Sequence, residues 1–175
     1  MPSAPGLHVV RLGPDDWESY AALRTAMLTD APEAFWTTLA DVEGFGEAQW
    51  RRRSTDRTLQ ARAADGTPLG TVTVLTADGG PALGLQPQDG DALVLAVYVV
   101  PAARGRGVVD ALLDAAHAFA RDSLGARRMV LQVNEGNVAA RRVYERHGYV
   151  LTGESLPHPR QPGVRDLEMA RPVSR

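Results

Sequence analysis

The run from Leu93 to Val100 is apolar without interruption and rich in valine. A strand of that kind needs cover on both faces, which places it inside a sheet flanked by helices. It ends at Pro101, and Arg104-Gly105-Arg106-Gly107 follows. Val108, Ala111, Leu112, Ala115, Ala116 and Phe119 then recur at i, i+3, i+4, i+7, i+8 and i+11, one continuous helical stripe. Gly125 is the expected stop of that helix. The chain must therefore fold as an α/β protein around a buried strand, a glycine turn and a helix.

That junction is also an anion site. The first-turn N–H groups of a helix have no partners within it, and the helix dipole adds fractional positive charge there. Glycine lets a phosphate approach the backbone, and Arg104 and Arg106 can add forked donors. A pyrophosphate or a similar group suits such a turn. Asp110 stands where a dinucleotide fingerprint would have its third glycine, and the Gly-Lys-Ser/Thr pattern is absent. The alternative is a plain strand-to-helix turn with surface arginines.

The rest of the chain supplies further elements. His8 to Leu12 reads as a first strand, and Pro14-Asp15-Asp16 as a helix start. Tyr20, Leu23, Arg24, Met27 and Leu28 continue at helical spacing until Asp30-Ala31-Pro32. Glu47 to Arg53 reads as a second short helix with Trp50 on its apolar side. Thr58 to Ala63 and Gly70 to Leu75 read as strands around an Asp65-Gly66 hairpin turn. Residues 78–91 are rich in Gly, Pro, Asp and Gln and read as a loop. Met129 to Val133 is a strand, and Asn137 caps a helix on which Ala140, Val143, Tyr144 and His147 share a face up to Gly148. Tyr149 to Thr152 and Val164 to Ala170 close the chain as strands.

Composition narrows the function classes. A net charge of −2 argues against general nucleic-acid binding. With no cysteine, disulfides, thiolate metal sites and cysteine nucleophiles are excluded. No apolar run reaches the roughly 18 residues of a membrane span, and Met1 to Gly6 has no signal-peptide pattern. A cytoplasmic protein with no metal and no membrane partner is expected, and a homodimer is compatible with these observations.

The segment from Leu131 through Asn137 and Tyr144 to Tyr149, together with Pro101-Ala102-Ala103-Arg104-Gly105-Arg106-Gly107 after the apolar strand, resembles the paired signatures of the GNAT superfamily of N-acetyltransferases. The resemblance implies one domain over residues 1–175. It also implies a mixed, mostly antiparallel seven-stranded sheet with about four helices and splayed central strands. Acetyl-CoA would be the cosubstrate and a primary amine of a small molecule or protein the acceptor. The pyrophosphate would sit on the turn formed by Arg104, Gly105, Arg106, Gly107, Val108 and Val109. The pantetheine arm would pair with Val97, Tyr98 and Val99, and Asn137 would contact the arm. Tyr144 would stand near the sulfur and act as acid, because a phenol can protonate a leaving thiolate. Without the resemblance, Tyr144 reads equally as a core tyrosine and Asn137 as a helix cap.

Two positions depart from that pattern. Val109 occupies a place where the family usually has Gly or Ala, and Gln132 one where some branches have a glutamate base. Glu135, Tyr98 and Asp91 are weak candidates to replace that base. His117 and His147 read as structural. These departures favour, as an alternative, a non-catalytic CoA-binding sensor or interaction module. The family's acceptor wall would correspond to Met27 to Trp50, with Phe35, Trp36, Phe45, Asp30, Glu33, Asp41 and Glu43, and to Leu156 to Arg165, of which Leu156 to Gly163 reads as a loop. Those aromatics read equally as a covering layer over the sheet. Arg51-Arg52-Arg53 with Arg57 reads as a solvated face.

Overall fold

In the computed structural model, which describes residues 6–79 and 87–173, strands and helices follow one another as the periodicity predicts. They are β1 (His8–Arg11), α1 (Trp17–Asp30), α2 (Glu47–Arg53), β2 (Thr58–Arg62), β3 (Pro68–Thr76), β4 (Asp91–Val99), α3 (Val108–Asp122), β5 (Arg128–Asn134), α4 (Val138–Arg146), β6 (Val150–Pro157) and β7 (Arg165–Pro172). The seven strands form one mixed sheet in the order β1-β2-β3-β4-β5-β7-β6. Strands β4 and β5 are parallel; β1/β2, β2/β3, β5/β7 and β6/β7 are antiparallel. A helix separates β4 from β5, as a parallel pair requires.

By packing, the chain divides into two units: Met1–Thr73 with Ala96–Ala115, and Val74–Leu95 with Ala116–Arg175. In the first, Leu23, Met27, Leu28, Val42, Trp50 and Tyr98 form the buried cluster. Each large side chain buried this way contributes about 1.5–3 kcal/mol. Trp50 meets the rings of Tyr20 and Phe45 edge-on, at 6.0 and 5.2 Å between centroids. The aspartate-glycine hairpin forms as expected: Gly66 takes φ 87 and its N–H donates to the carbonyl of Ala63 at 2.9 Å.

In the second unit, Leu93, Val130 and Ala170 pack with Leu75. Asp91 lies at the start of β4, earlier than the apolar run suggests, and in register with Arg128. The Arg128 guanidinium donates to both Asp91 carboxylate oxygens, at 2.9 and 2.7 Å. That forked pair lets a charged residue enter a buried strand.

Three expectations need correction. Both faces of β4 were expected to be buried, yet only Asp91 to Val94 and Tyr98 are; Leu95, Ala96, Val97 and Val99 are half-buried. Ala96 has φ 51, which interrupts the pleat. Strand β6 runs on to Pro157, so Leu156 and Pro157 belong to a strand rather than a loop. The polar run Gly153-Glu154-Ser155 hides this continuation, and the pairing register shifts between Leu151 and Ser155. The expected loop at 78–91 begins with a 3-10 turn, Ala77–Gly79, and residues 80–86 lie outside the described ones. Met1 to Pro5 lie outside them too. Among the described residues no helix is long and apolar enough to cross a membrane.

Candidate functional site

In the first unit, β4 lies very close to β3. A Cβ placed on Gly70 would sit 2.6 Å from the Tyr98 carbonyl oxygen and 3.0 Å from Leu112 Cδ1. The Val100 N–H donates to the carbonyl of Leu69 at 2.9 Å. Alternation along a strand therefore turns the N–H of Val99, and that of Val97, away from β3. Farther up β4, in the second unit, its pairing with β5 runs from Asp91↔Arg128 to Val94↔Leu131.

A 3-10 turn, Pro101–Ala103, follows, and the Arg104 N–H closes on the Pro101 carbonyl at 3.2 Å. The expected donor set therefore loses the Arg104 amide. Gly105 and Gly107 take φ 73 and 77, a conformation that L side chains resist. A Cβ on either would meet nothing within 4 Å, so open space lies over the turn. The Ala111 N–H donates to the Gly107 carbonyl at 3.1 Å. The amides of Val108, Val109 and Asp110 thus precede the first i→i−4 bond of α3, as at any helix start. Val108 is buried and Val109 half-buried; the Val109 side chain leaves its own amide in this set.

The two arginines divide. Arg106 is exposed. Arg104, expected to add a forked donor for phosphate, turns back: its Nε donates to the Val99 carbonyl at 3.1 Å and its Nη2 pairs closely with the Asp30 carboxylate. Its guanidinium also lies 5.9 Å from the Tyr98 ring centroid. Burial raises the Tyr98 phenol above its ordinary pKa; the Asp30 charge adds to the rise and Arg104 opposes it.

In the second unit, the Asn137 carboxamide oxygen accepts from the Ala140 N–H at 3.1 Å and so caps α4. Tyr144, on α4, is only 8% exposed. Its ring meets that of Tyr149 edge-on at 5.9 Å. Burial pushes the Tyr144 phenol well above its ordinary pKa, which keeps it in the neutral, donating form.

The candidates for a base fare differently. Asp91 is held by Arg128, and its side chain is 3% exposed. Glu135 is tied to β7, its carboxylate accepting from the Arg165 N–H at 2.8 Å. Gln132 lies in register with Glu168, a half-buried carboxylate on β7. Strand pairing brings these two together, and nothing in the local sequence signals it. In the expected acceptor region, Phe35, Phe45 and Trp50 belong to the apolar cluster of the first unit. Asp41 caps the turn at Thr38, and Glu33 and Glu43 are exposed. His158, in the other expected segment, is buried. The Arg51–Arg57 run is not wholly solvated. Arg53 lies over the Phe45 ring at 4.6 Å, and Arg57 is half-buried with a buried Nη1 that has no partner among the described residues.

Comparison with known proteins adds to this geometry. The sequence pattern of the acetyltransferase (GNAT) family matches residues 20–149. The chain is 32% identical over 152 residues to mycothiol acetyltransferase of Salinispora tropica, covering 85% of this chain and 46% of that protein. It is 34% identical over 112 residues to L-2,4-diaminobutyric acid acetyltransferase of Streptomyces avermitilis, covering 61% and 58%. The chain thus spans about half the length of these relatives. The fold is shared with yncA of Salmonella typhimurium, solved with its cofactor acetyl-CoA. The TM-score is 0.74 at 16% identity, over 97% of this chain and 95% of that one.

Proposed function

Since the chain belongs to the acetyltransferase (GNAT) family, we propose that it moves the acetyl group of acetyl-CoA to a primary amine of a small molecule or protein by direct attack. The observation that carries this reading is the turn at Gly105 and Gly107, with open space above it and first-turn amides leading into α3. These residues fit a pyrophosphate: the amides of Gly105 to Asp110 and the exposed Arg106 are its donors, and Arg104 serves β4 instead. In this reading residues 1–175 act as one domain.

The edge of β4 at Val97 to Val99 holds the pantetheine arm through backbone hydrogen bonds, as an added strand would. The N–H of Val99, turned away from β3, donates to the thioester oxygen as negative charge develops there. A neutral amine attacks the carbonyl carbon, its C–N bond forms, and the C–S bond breaks. The Tyr144 phenol supplies a proton to the leaving sulfur. The amine arrives deprotonated; the proton its nitrogen sheds once the C–N bond has formed leaves through water, since Gln132 cannot accept one, and water returns a proton to Tyr144. Holding amine and thioester together contributes much of the remaining acceleration. Asn137 stabilises the start of α4 as its cap and contacts the arm.

Calorimetry with acetyl-CoA, followed by mass spectrometry of an amine panel, tests the proposal. Micromolar binding with acetylated product and free CoA is expected. Binding without product on any amine favours the non-catalytic CoA module, and no binding overturns both readings.

A further inference from the structure

A narrow cleft, whose inner space takes about one water-sized group, lies within the first unit. Tyr20, Leu23 and Arg24 of α1, Gln60 of β2, Thr71 and Thr73 of β3, and Ala96 of β4 line it. Its two threonine hydroxyls are already satisfied. Thr71 Oγ donates to the Leu59 carbonyl at 3.2 Å, and the Thr73 and Thr58 hydroxyls meet at 3.0 Å. Two donors are not.

The first is Gln60. It is fully buried, and its carboxamide oxygen accepts from Ser19 Oγ at 3.0 Å and from Arg62 Nε at 2.7 Å. That arrangement fixes which end of the amide is oxygen. The Nε2 group is left buried without an acceptor among the described residues. An unpaired buried donor costs about 1–3 kcal/mol, so a fold that keeps one has a use for it.

The second is Arg24. Its guanidinium is half-buried, and among the described residues no carboxylate pairs with it. Burial pulls its pKa below the ordinary arginine range, Tyr20 opposes the fall and Arg53 adds to it, although an arginine stays charged at neutral pH. A water molecule could satisfy Gln60 alone, while solvent reaches Arg24 from outside. An anion answers both.

We propose that this cleft binds the carboxylate of the amine acceptor, through the Arg24 guanidinium and the Gln60 amide. The acceptor class is then small primary amines that carry a carboxylate. The inference rests on the acetyltransferase reading and narrows it. The inner space is water-sized, so only the carboxylate end of the acceptor enters it and the rest of the molecule lies in the open mouth. Ala96 lines the cleft and directly precedes Val97 to Val99, the backbone assigned to the thioester arm. An acceptor anchored there by its acid end keeps its amine close to that strand.

The test compares amino acids with their carboxamides as acceptors, in the wild-type protein and in Arg24→Gln and Arg24→Lys. Wild-type kcat/KM should favour each acid over its amide by about tenfold or more. Arg24→Gln should lower kcat/KM for the acids about 10- to 100-fold, mostly through KM, as loss of a charge-assisted hydrogen bond predicts. The acid-to-amide ratio should fall near one in that variant and recover in part in Arg24→Lys. Equal use of acids and amides by the wild type, or a preference that survives Arg24→Gln, overturns the carboxylate assignment and leaves the acetyltransferase reading standing. If no amine is acetylated, the acetyltransferase reading fails instead. Calorimetric titration of the same amino acids then decides the cleft: binding lost in Arg24→Gln sustains the anion site, and no binding to the wild type overturns it.

Discussion

The guanidinium of Arg104 pairs with the carboxylate of Asp30, the last residue of α1, while donating to the carbonyl of Val99. One side chain thus links the glycine turn, the end of β4 and the end of a helix 74 residues earlier. Asp30→Asn should cost only about 0.5–1 kcal/mol, because the Arg104 side chain is 52% exposed. Its clearer signature is Tyr98. Removing the Asp30 charge takes away one of the three influences that raise the phenol, beside burial and a hydrogen bond to the same side chain, so the Tyr98 pKa should fall toward its ordinary value while burial keeps it above. Ultraviolet titration of phenolate in Asp30→Asn, read against a Tyr98→Phe control, measures it; an unchanged Tyr98 pKa would count against the pairing.

Tyr144→Phe should lower kcat about 100-fold, within the usual range for loss of a positioned acid, and leave acetyl-CoA affinity near the wild-type value. Pre-steady-state rates and calorimetry separate the two quantities. Wild-type turnover in the variant would remove Tyr144 from the proton-donor role and leave it as a core residue against Tyr149.

Alkaline stability should report the same burial. Tyr144 and Tyr149 both have folded-state pKa values raised above the ordinary tyrosine value, chiefly by burial. Their stabilising contribution is therefore complete below about pH 10, the value for an unfolded tyrosine, and is lost as pH rises above it. Thermal melts between pH 8 and 11.5, as chosen assay limits, should show Tm falling above about pH 10. The fall should be shallower in Tyr144→Phe. Parallel curves for the two proteins would contradict this assignment.

Asp91→Asn should destabilise the fold by about 2–3 kcal/mol. It strips Arg128 of a forked partner, and the cost is discounted because the Arg128 side chain is 32% exposed. For a chain of this size that corresponds to a Tm lower by roughly 4–12 °C. Differential scanning calorimetry measures it. A shift below one degree would mean that water replaces the pair at no cost.

Gly70→Ala tests the approach of β3 to β4. The new methyl group would lie 2.6 Å from the Tyr98 carbonyl oxygen, a backbone atom that cannot rotate aside. Overpacking of this kind costs about 1–3 kcal/mol. Because the displaced strand carries Val97 to Val99, acetyl-CoA affinity should fall together with stability. Urea denaturation and calorimetry on one preparation provide both numbers.

The order of elements was readable because each carries its own pattern: Val108 to Phe119 repeats as a helix, and Leu93 to Val100 is an unbroken apolar run, a strand although only partly covered. The glycine turn was readable because Gly105 and Gly107 take a left-handed backbone conformation, a demand visible in residue type. What stayed hidden depends on partners far away in sequence. Arg104 reads as a phosphate ligand until Asp30 is placed beside it. Asp91 reads as loop until Arg128 neutralises it. Arg24 reads as one more residue on the face of α1, and only the β2–β3 pairing brings Gln60, Thr71 and Thr73 to the same cleft. The length of β6 was hidden for a local reason, since Gly153 to Ser155 is polar and breaks the alternation.

Ala96, with its φ of 51, also governs how this sequence can drift. An alanine tolerates that conformation at a cost of about 1–2 kcal/mol, asparagine and glycine accept it more readily, and a β-branched residue is excluded. Position 96 sits in a valine-rich strand, where valine would otherwise be an easy substitution. A library randomised there should return a very short list of survivors. That list would mark position 96 as a checkpoint against straightening the strand, set by backbone torsion and independent of any ligand.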